Sequence, residues 1–300
     1  KLKNITVLPI LGSEKSVHYR NKLEFTFSNK KYLTGNELKD LGEDQWPGGA
    51  LGYHIPRLYD KILEIKECWL MDDVNNRIRN GMREFSEKNN YSYYDIKEHS
   101  GFLRNIIIRN CTTGELMVNL VFGYEDKEKR EAICNYLLQI VPDISTLIYT
   151  INPKWNDSLN ELSPQTFYGK GYVTEKLGDF NFKISPKSFF QTNTKQAEVL
   201  YNVAKDFSEL TDNEIVYDLY CGTGSIGIFL SRQAKKIIGV EVIEEAIVDA
   251  KANAQLNNLS HTSFYSGDVI EICNDAFFEL HGKPDLVIVV PPRAGLHNKL

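Results

Sequence analysis

Three glycines and two acids near the C-terminal end of the chain have the types and spacing of a nucleotide-binding loop. The run VYDLYCGTGSIGI carries Gly222, Gly224 and Gly227 in the order G-x-G-x-x-G, after an apolar segment that contains Asp218. Glycine lets the backbone approach a ligand closely, and an acid about twenty residues later commonly binds ribose hydroxyls. Glu241 lies nineteen residues after Gly222, at the end of an apolar run. The spacing therefore predicts an adenosine-containing cofactor.

A doubly wound sheet would position these residues, and the segment 186–300 has the pattern of one. Predicted helices alternate with predicted strands, in chain order, at 194–208, 214–220, 225–233, 236–241, 244–257, 262–266, 269–280 and 285–290. Such alternation is typical of a parallel α/β fold, and wholly apolar strands such as DLVIVV are covered on both faces. The last strand would leave a bare apolar edge ten residues before Leu300. We therefore expect C-terminal strands of this Rossmann-like sheet to be missing.

The segment 1–185 has a different pattern, which predicts an α+β domain. Strands are expected at 19–28, 103–110 and 115–124, a helix at about 127–140, and a loop at 152–165. A further amphipathic helix is indicated by the apolar stripe Leu70, Val74, Ile78, Met82 and Phe85. The sequence therefore predicts two domains, 1–185 and 186–300.

Composition excludes several classes of protein. A hydrophobic fraction of 42% and a charged fraction of 25% are those of an ordinary globular chain, and there is no apolar run long enough to span a membrane. The net charge of −5 excludes a bulk polycation, so nucleic-acid binding would require a local basic patch. Five scattered cysteines without a C-x-x-C pair indicate reduced thiols and a cytoplasmic protein.

Three further positions can contact a ligand at the carboxyl edge of the sheet or just before it. Asp268 follows the third strand, where it can accept a hydrogen bond from an adenine amino group or cap the next helix. The run VVPPRAGLH follows the fourth strand, and its Arg293 suits a phosphate or a carboxylate. Gln191, in SPKSFFQTNTKQAEVLY, can bind a polar ligand end or cap a helix.

The segments SFFQTNTKQAEVLY, DLYCGTGSIGI and VVPPRAGLH, in this order and spacing, resemble the RNA uracil-5-methyltransferase family. YRNKLEFTF, GYHIPR and ILEIKECWL resemble the central domain of that family, and the branch acting on large-subunit ribosomal RNA is the most similar. The resemblance implies a class I methyltransferase fold, S-adenosylmethionine (SAM) as cofactor, and an enzyme that forms 5-methyluridine, expected in 23S ribosomal RNA. It also implies an RNA partner and a monomer.

The resemblance assigns roles to residues that match the family's motifs. Gln191 is expected to bind the methionine end of SAM, Tyr220 and Ser225 to line the loop, Glu241 to hold the ribose and Asp268 the adenine. The full predicted cofactor set is Gln191, Asp218, Tyr220, Gly222, Gly224, Ser225, Glu241 and Asp268. The predicted substrate loop is Pro291, Pro292 and Arg293.

The chain departs from the family at its catalytic residues. Val290 stands where the family has an aspartate, and the nucleophilic cysteine, in Ser-Cys-Asn-Pro, and the glutamate base are expected beyond Leu300. We therefore expect no catalytic residue here, and a fragment lacking both ends that is inactive by itself. Cys68 resembles the fourth ligand of a 4Fe–4S cluster whose other cysteines would lie upstream. Because such a cluster needs four thiolates, we expect none in this chain.

The chemistry implied for the family is covalent. A thiolate adds to uracil C6, C5 then takes the methyl group, and a base removes the C5 proton. The target base must leave its stack to react. RNA contacts are expected on the N-terminal half, from basic side chains that equally fit a solvated strand face: Arg20, Lys22, His54, Arg57, Arg104 and Arg109.

Three alternatives remain open. Transfer RNA is the other candidate substrate. A non-catalytic module that binds SAM and RNA agrees with Val290 and with the lack of a matching cysteine. An NAD(P)-dependent oxidoreductase would use the same glycine spacing for a pyrophosphate, but it gives no role to the FFQTN and PPRAG segments.

Overall fold

The N-terminal half is built on one mixed sheet. In the computed structural model, residues 7–40, 48–291 and 295–296 are described. Within them seven strands pair in the order β3-β2-β1-β4-β5-β6-β7, with only β5 and β6 parallel. Their bounds are β1 Lys22–Ser28, β2 Ala50–Ile55, β3 Leu58–Glu64, β4 Leu103–Asn110, β5 Leu116–Phe122, β6 Ile144–Ile151 and β7 Gln165–Gly169.

Helices α2 (Val74–Lys88) and α3 (Lys127–Ile140) cover one face of this sheet. The apolar stripe predicted for α2 packs there, with Ile78 and Met82 fully buried beside Phe25 and Phe27 of β1. Helix α3 has the predicted bounds and begins after an Asp126 side chain that accepts from Lys129 N at 3.1 Å. A short helix, α1, spans Gly35–Asp40.

The opposite face of the sheet packs against the C-terminal half. Met117 of β5 and Ile148 of β6 belong to a second buried cluster, which also contains Ile228 and Ala250 of the C-terminal helices. Strands β4 and β5, which pair with each other in the antiparallel direction, are buried on both faces of this mixed sheet. The second cluster joins the two halves of the chain through apolar side chains.

The C-terminal half has the predicted parallel sheet. Its described strands pair in the order β12-β11-β10-β13, all parallel, so β11 and β12 lie on one side of β10 and β13 lies on the other. The strands are β10 Ile215–Leu219, β11 Lys236–Glu241, β12 Thr262–Ser266 and β13 Leu286–Val289. Helix α4 (Thr194–Ser208) precedes them, and the helices between them are α5 Ser225–Leu230, α6 Glu244–Leu256, α7 Val269–Ile272 and α8 Asp275–His281.

One predicted helix is wrong in detail. Residues 269–280 were expected to form a single helix, but α7 and α8 are separated at Cys273 and Asn274. The Asn274 side chain accepts a hydrogen bond from Phe277 N at 3.1 Å, which starts a new helix. An asparagine cap competes with continuation of the helix, and that explains the break.

A hairpin connects the two halves. Its strands β8 (Val173–Leu177) and β9 (Phe180–Ile184) lie before the predicted domain division but pack on α6. Asn253 Oδ1 of α6 accepts from Lys183 N at 2.7 Å, and Asn257 Oδ1 accepts from Asn181 N at 2.9 Å. The helix thus satisfies backbone groups on one edge of the hairpin. The division between 185 and 186 stays a prediction.

Across the described segments, none of the helices combines the length and apolar content that crossing a membrane requires.

Candidate cofactor site

The glycine loop lies at the carboxyl end of β10, where the strand order reverses, and parallel α/β folds bind ligands at such a position. Tyr220, Gly222 and Gly224 all have left-handed backbones, with φ of 60°, 54° and 73°. A Cβ atom at Gly222 would meet no protein atom within 4 Å. The space beside Gly222 is therefore open to a ligand, and the loop fits a cofactor that approaches the backbone.

The other two glycines allow packing instead. A Cβ atom at Gly224 would lie 2.8 Å from the Phe264 ring of β12, and one at Gly227 would lie 2.9 Å from Ile237 of β11. Real Cβ contacts are longer than this, so larger residues would push α5 away from the sheet. Of the three glycines in the G-x-G-x-x-G motif, Gly222 therefore faces open space, whereas Gly224 and Gly227 are packed against the sheet.

Asp218 stabilises the loop from inside, which corrects the prediction that it contacts a cofactor. Its side chain is fully buried, and Oδ2 accepts from Gly227 N at 3.0 Å. Oδ1 has no hydrogen-bond partner among the described residues. Burial raises the pKa of this carboxyl group to about 7. Asp218 is therefore a positioning residue for the start of α5.

Glu241 lies where the sequence predicted an acid for a ribose. Its Oε2 accepts from Gly222 N at 3.2 Å and its Oε1 from Ile243 N at 3.0 Å. A carboxylate can accept about four hydrogen bonds, so both oxygens retain acceptor capacity. The residue is half-buried beside the open space at Gly222. The geometry suits a pair of hydroxyl donors.

Asp268 lies at the same edge of the sheet, two residues after the Ser266 that pairs with Glu241. Its side chain is exposed and Oδ1 accepts from Ile270 N at 2.8 Å, so it caps α7. The capping role is confirmed, and contact with an adenine stays a prediction.

Ser225 begins α5 and its hydroxyl lies 2.8 Å from the hydroxyl of Tyr201 on α4. Burial raises the pKa of Tyr201 to about 12, so the phenol remains protonated and can donate. Tyr220 is half-buried at the end of β10. Tyr220 and Ser225 lie two residues before and three residues after Gly222 in the chain, and their contact with a cofactor stays a prediction.

Gln191 is held between the two halves of the chain. Its backbone carbonyl accepts from Asn21 Nδ2 at 2.8 Å, and Asn21 N donates to Thr192 O at 2.7 Å. The preceding Phe189 carbonyl accepts a longer hydrogen bond, 3.4 Å, from the Thr223 hydroxyl in the glycine loop. The structure therefore brings the segment just before Gln191 to the loop, and contact of the Gln191 side chain with a cofactor stays a prediction.

A buried glutamate extends this network, and sequence reasoning missed it. Glu175 is fully buried, and its carboxylate accepts from Thr194 Oγ1 at 2.9 Å and from Thr112 N at 2.9 Å. Thr194 in turn accepts from Asn21 Nδ2 at 2.8 Å. The signal was an acid at an inward position of the strand VTEKL, between Val173 and Leu177.

The predicted substrate loop is only partly described. Val290 and Pro291 are exposed just after β13, which pairs with β10 beside the glycine loop. Pro292 and Arg293 lie outside the described residues.

Two of the predicted RNA contacts need correction. The side chains of Arg104 and Arg109 are only 1% and 2% exposed. Arg104 donates to backbone carbonyls of the β6–β7 loop, and Arg109 Nη2 donates to Ser188 O at 3.3 Å. Neither guanidinium offers a surface to a phosphate. Both have structural roles that link the N-terminal sheet to loops.

The remaining RNA candidates are more accessible. His54 and Arg57 are exposed at the β2–β3 hairpin, where Arg57 has a left-handed backbone with φ of 71°. Arg20 and Lys22 are half-exposed at the start of β1. Burial, followed by the nearby Arg109 charge, lowers the pKa of Lys22. RNA contact at these four positions stays a prediction.

Cys68 is buried in the N-terminal core, with its Sγ atom 3.3 Å from the Tyr53 hydroxyl. Its backbone is held by Asn75 and Asn76 of α2. The part of the chain described here contains no group of three or more His, Cys, Asp or Glu side chains arranged to hold a metal. A ligand role for Cys68 stays a prediction.

Comparison with known proteins matches this geometry to a protein class. A family model described as a methyltransferase domain matches residues 210–289, which contain the glycine loop, Glu241 and Asp268. A crystal structure of the Pyrococcus abyssi tRNA (uracil-54, C5)-methyltransferase with S-adenosyl-L-homocysteine aligns with a TM-score of 0.73 and 27% identity. The alignment covers 96% of this chain and 63% of that one. The fold is that of SAM-dependent methyltransferases. The same findings support SAM as the cofactor.

Curated relatives are more similar in sequence. An uncharacterized RNA methyltransferase of Bacteroides thetaiotaomicron is 46% identical over 303 residues, covering 99% of this chain and 66% of that protein. A second, from Porphyromonas gingivalis, is 44% identical over 296 residues, covering 97% and 64%. The chain thus spans about two thirds of the length of these relatives.

Proposed function

We propose that this methyltransferase chain binds SAM and serves methyl transfer to carbon 5 of a uridine in RNA. The observation that carries the proposal is the open space at Gly222, bordered by Glu241 and by the Gln191 segment. Likeness to a uracil-C5 enzyme over 96% of the chain supports the position of the methyl acceptor. When bound, SAM supplies the methyl group.

RNA as the substrate class is supported by the relatives named as RNA methyltransferases. We propose 23S ribosomal RNA, on the resemblance of the sequence motifs to that branch. Transfer RNA is the second candidate, and the solved Pyrococcus abyssi enzyme favours it because its substrate is a tRNA uridine.

The nucleophile for this reaction is proposed to come from outside these 300 residues. Uridine C5 becomes reactive only after a thiolate adds to C6, and thiolates form at exposed positions of low pKa. Burial raises the pKa of Cys111, Cys134, Cys221 and Cys273, to about 12 for Cys134. Cys68 is buried. These environments favour structural thiols, and nothing in the structure explains Val290.

The deciding experiment measures tritium release from RNA labelled at uracil C5, with the natural full-length protein, with and without SAM. Methylation replaces the C5 hydrogen, so SAM-dependent release is expected. Absence of release from a protein that still binds SAM would favour the non-catalytic module. Binding of NAD(P) instead of SAM would favour the oxidoreductase.

A further inference from the structure

The loop between β6 and β7 presents one tryptophan to solvent. Trp155 is 74% exposed, while the guanidinium beneath it, Arg104, is 1% exposed. Arg104 Nη1 donates to Lys154 O at 2.6 Å and Nη2 to Asn156 O at 3.0 Å, so it binds the carbonyls on both sides of Trp155. With the flanking carbonyls turned inward, the indole is directed away from the protein.

A second loop supports the same indole. The His99 ring stacks on Trp155 with centroids 4.5 Å apart and planes 5° from parallel. His99 lies in a turn that Asp95 closes, because Asp95 Oδ1 accepts from Lys97 N at 2.8 Å and from Glu98 N at 3.1 Å. The loop that carries Trp155 and the turn that carries His99 are therefore each held by their own hydrogen bonds, and they contact each other through the two stacked rings. One face of the indole is covered by His99, and the exposed area lies elsewhere on the ring.

The surroundings combine aromatic and polar side chains. A small cavity is lined by His54 and Tyr59 of the β2–β3 hairpin together with Arg104 of β4 and Asp157 of the β6–β7 loop. Tyr59 is 66% exposed, and a salt bridge of 2.8 Å joins Lys97 to Asp60 beside it. The hairpin that carries the predicted RNA contacts His54 and Arg57 therefore borders the same cavity as Asp157, two residues after Trp155.

We propose that Trp155, supported by His99, is a stacking platform for an unpaired base of the RNA substrate. This inference rests on the proposed function. A lone exposed aromatic residue needs no explanation, but an anchored and stacked pair near the hairpin that carries His54 and Arg57 does. Stacking of one base on an aromatic side chain contributes about 1–3 kcal/mol. The nearby charges are largely paired, Arg104 with Asp157 and Lys97 with Asp60, so the platform recognises a base face and not a phosphate.

The first test measures the affinity of a fluorescein-labelled single-stranded RNA for the full-length protein and its variants. Trp155→Ala should weaken binding about 5- to 100-fold, and Trp155→Phe should restore most of the loss. The slope of log K against log salt should not change, whereas Arg57→Ala should reduce it. Phe207→Ala, which removes another exposed aromatic residue from α4, is the matched control and should bind normally.

The second test follows the fluorescence of Trp155 alone. These 300 residues contain three tryptophans, so replacing Trp46, Trp69 and any tryptophan elsewhere in the full-length protein with phenylalanine leaves the indole of Trp155, whose fluorescence RNA should quench. Normal RNA affinity of Trp155→Ala, or fluorescence unchanged at RNA saturation, would overturn the platform while the methyltransferase proposal stands. Failure of the parent protein to bind any RNA would overturn both. Retained binding of S-adenosyl-L-homocysteine (SAH) verifies that each variant is folded.

Discussion

At the scale of single residues, the candidate site depends on which polar groups are exposed and which are buried. Glu241 and Asp218 are both acids of neighbouring strands that bind backbone amides of the glycine segment. Glu241 is half-buried beside open space, whereas Asp218 is enclosed. The same chemical group is therefore predicted to contact a ligand in one case and stabilises the fold in the other.

Replacing Glu241 tests the ligand role. Both carboxylate oxygens of Glu241 accept from backbone N–H groups, and Glu241→Gln replaces one of them with an NH₂ donor. The neutral amide is also a weaker acceptor for the hydroxyl groups of a ligand. Hydrogen bonds to charged groups contribute about 1.5–3 kcal/mol, so SAH affinity measured by calorimetry should fall about 10- to 100-fold. Glu244→Gln, an exposed acid on α6, should have no effect. Equal affinity for both variants would exclude Glu241 from the site.

Replacing Asp218 tests the effect of its burial on stability. The folded pKa of about 7 lies above the ordinary value of 3.8, so the fold favours the protonated acid. This contribution to stability is fully present below pH 3.8 and is lost as pH rises to about 7, by on the order of 4 kcal/mol.

Asp218→Asn cannot ionise, so its stability relative to the parent protein should increase between pH 4.5 and pH 7.5. Urea unfolding at several pH values measures this difference, in which the other titrating groups cancel. A constant difference across that range would contradict the raised pKa.

At the scale of elements, α6 connects the glycine loop to the hairpin β8–β9. Asn253 is fully buried, accepts from Lys183 N at 2.7 Å and donates to Thr223 O at 3.4 Å. Asp249, one turn earlier, accepts from the Ser185 hydroxyl at 2.9 Å. Asp249 and Asn253, on one face of α6, therefore bind the hairpin, the segment before Gln191 and the glycine loop.

Asn253→Ala should destabilise the protein by about 1–3 kcal/mol, because it removes a buried side chain that accepts from the half-buried Lys183 amide. Thermal and urea unfolding measure the loss. Lys251→Ala, on the exposed side of the same helix, should change stability by less than about 0.5 kcal/mol. Similar effects of the two substitutions would show that Asn253 does not stabilise the hairpin.

At the scale of the whole molecule, the N-terminal half contacts the segment that is predicted to bind the cofactor. Asn21 lies between Arg20 and Lys22, two predicted RNA contacts, and binds the backbone of Gln191 and Thr192. Apolar contacts of Met117 and Ile148 with the C-terminal core reinforce this junction. A strand expected to face RNA thus contacts the segment expected to hold SAM.

Asn21→Ala should lower SAH affinity about 5- to 20-fold, although the side chain is directed to backbone and not to the open space. Asn29→Ala is a suitable control, because it removes a similar hydrogen bond, 2.7 Å to Asp95, that does not involve the Gln191 segment. Calorimetry with SAH compares them. If both variants bind SAH equally well, the contact of Asn21 with the Gln191 segment does not contribute to cofactor binding.

Elements with a strong local pattern were predictable. The bounds of α3 and α4 and the strands of the parallel sheet follow from periodicity and caps, and they are confirmed. Strand β7 was missed because QTFYG is a short, mostly exposed edge segment without a continuous apolar face. The break between α7 and α8 was missed because one asparagine side chain decides it.

The sequence by itself determined the glycine loop, the acid nineteen residues later and the parallel sheet, because backbone freedom and hydrophobic period are local properties. Only the tertiary structure decided that Arg104 and Arg109 are buried and that Asp218 faces inward. It also placed Asn21 on the Gln191 segment, 170 residues away, and stacked His99 on Trp155. Burial and partners at such separations depend on how distant elements pack, and no short window of sequence contains that information.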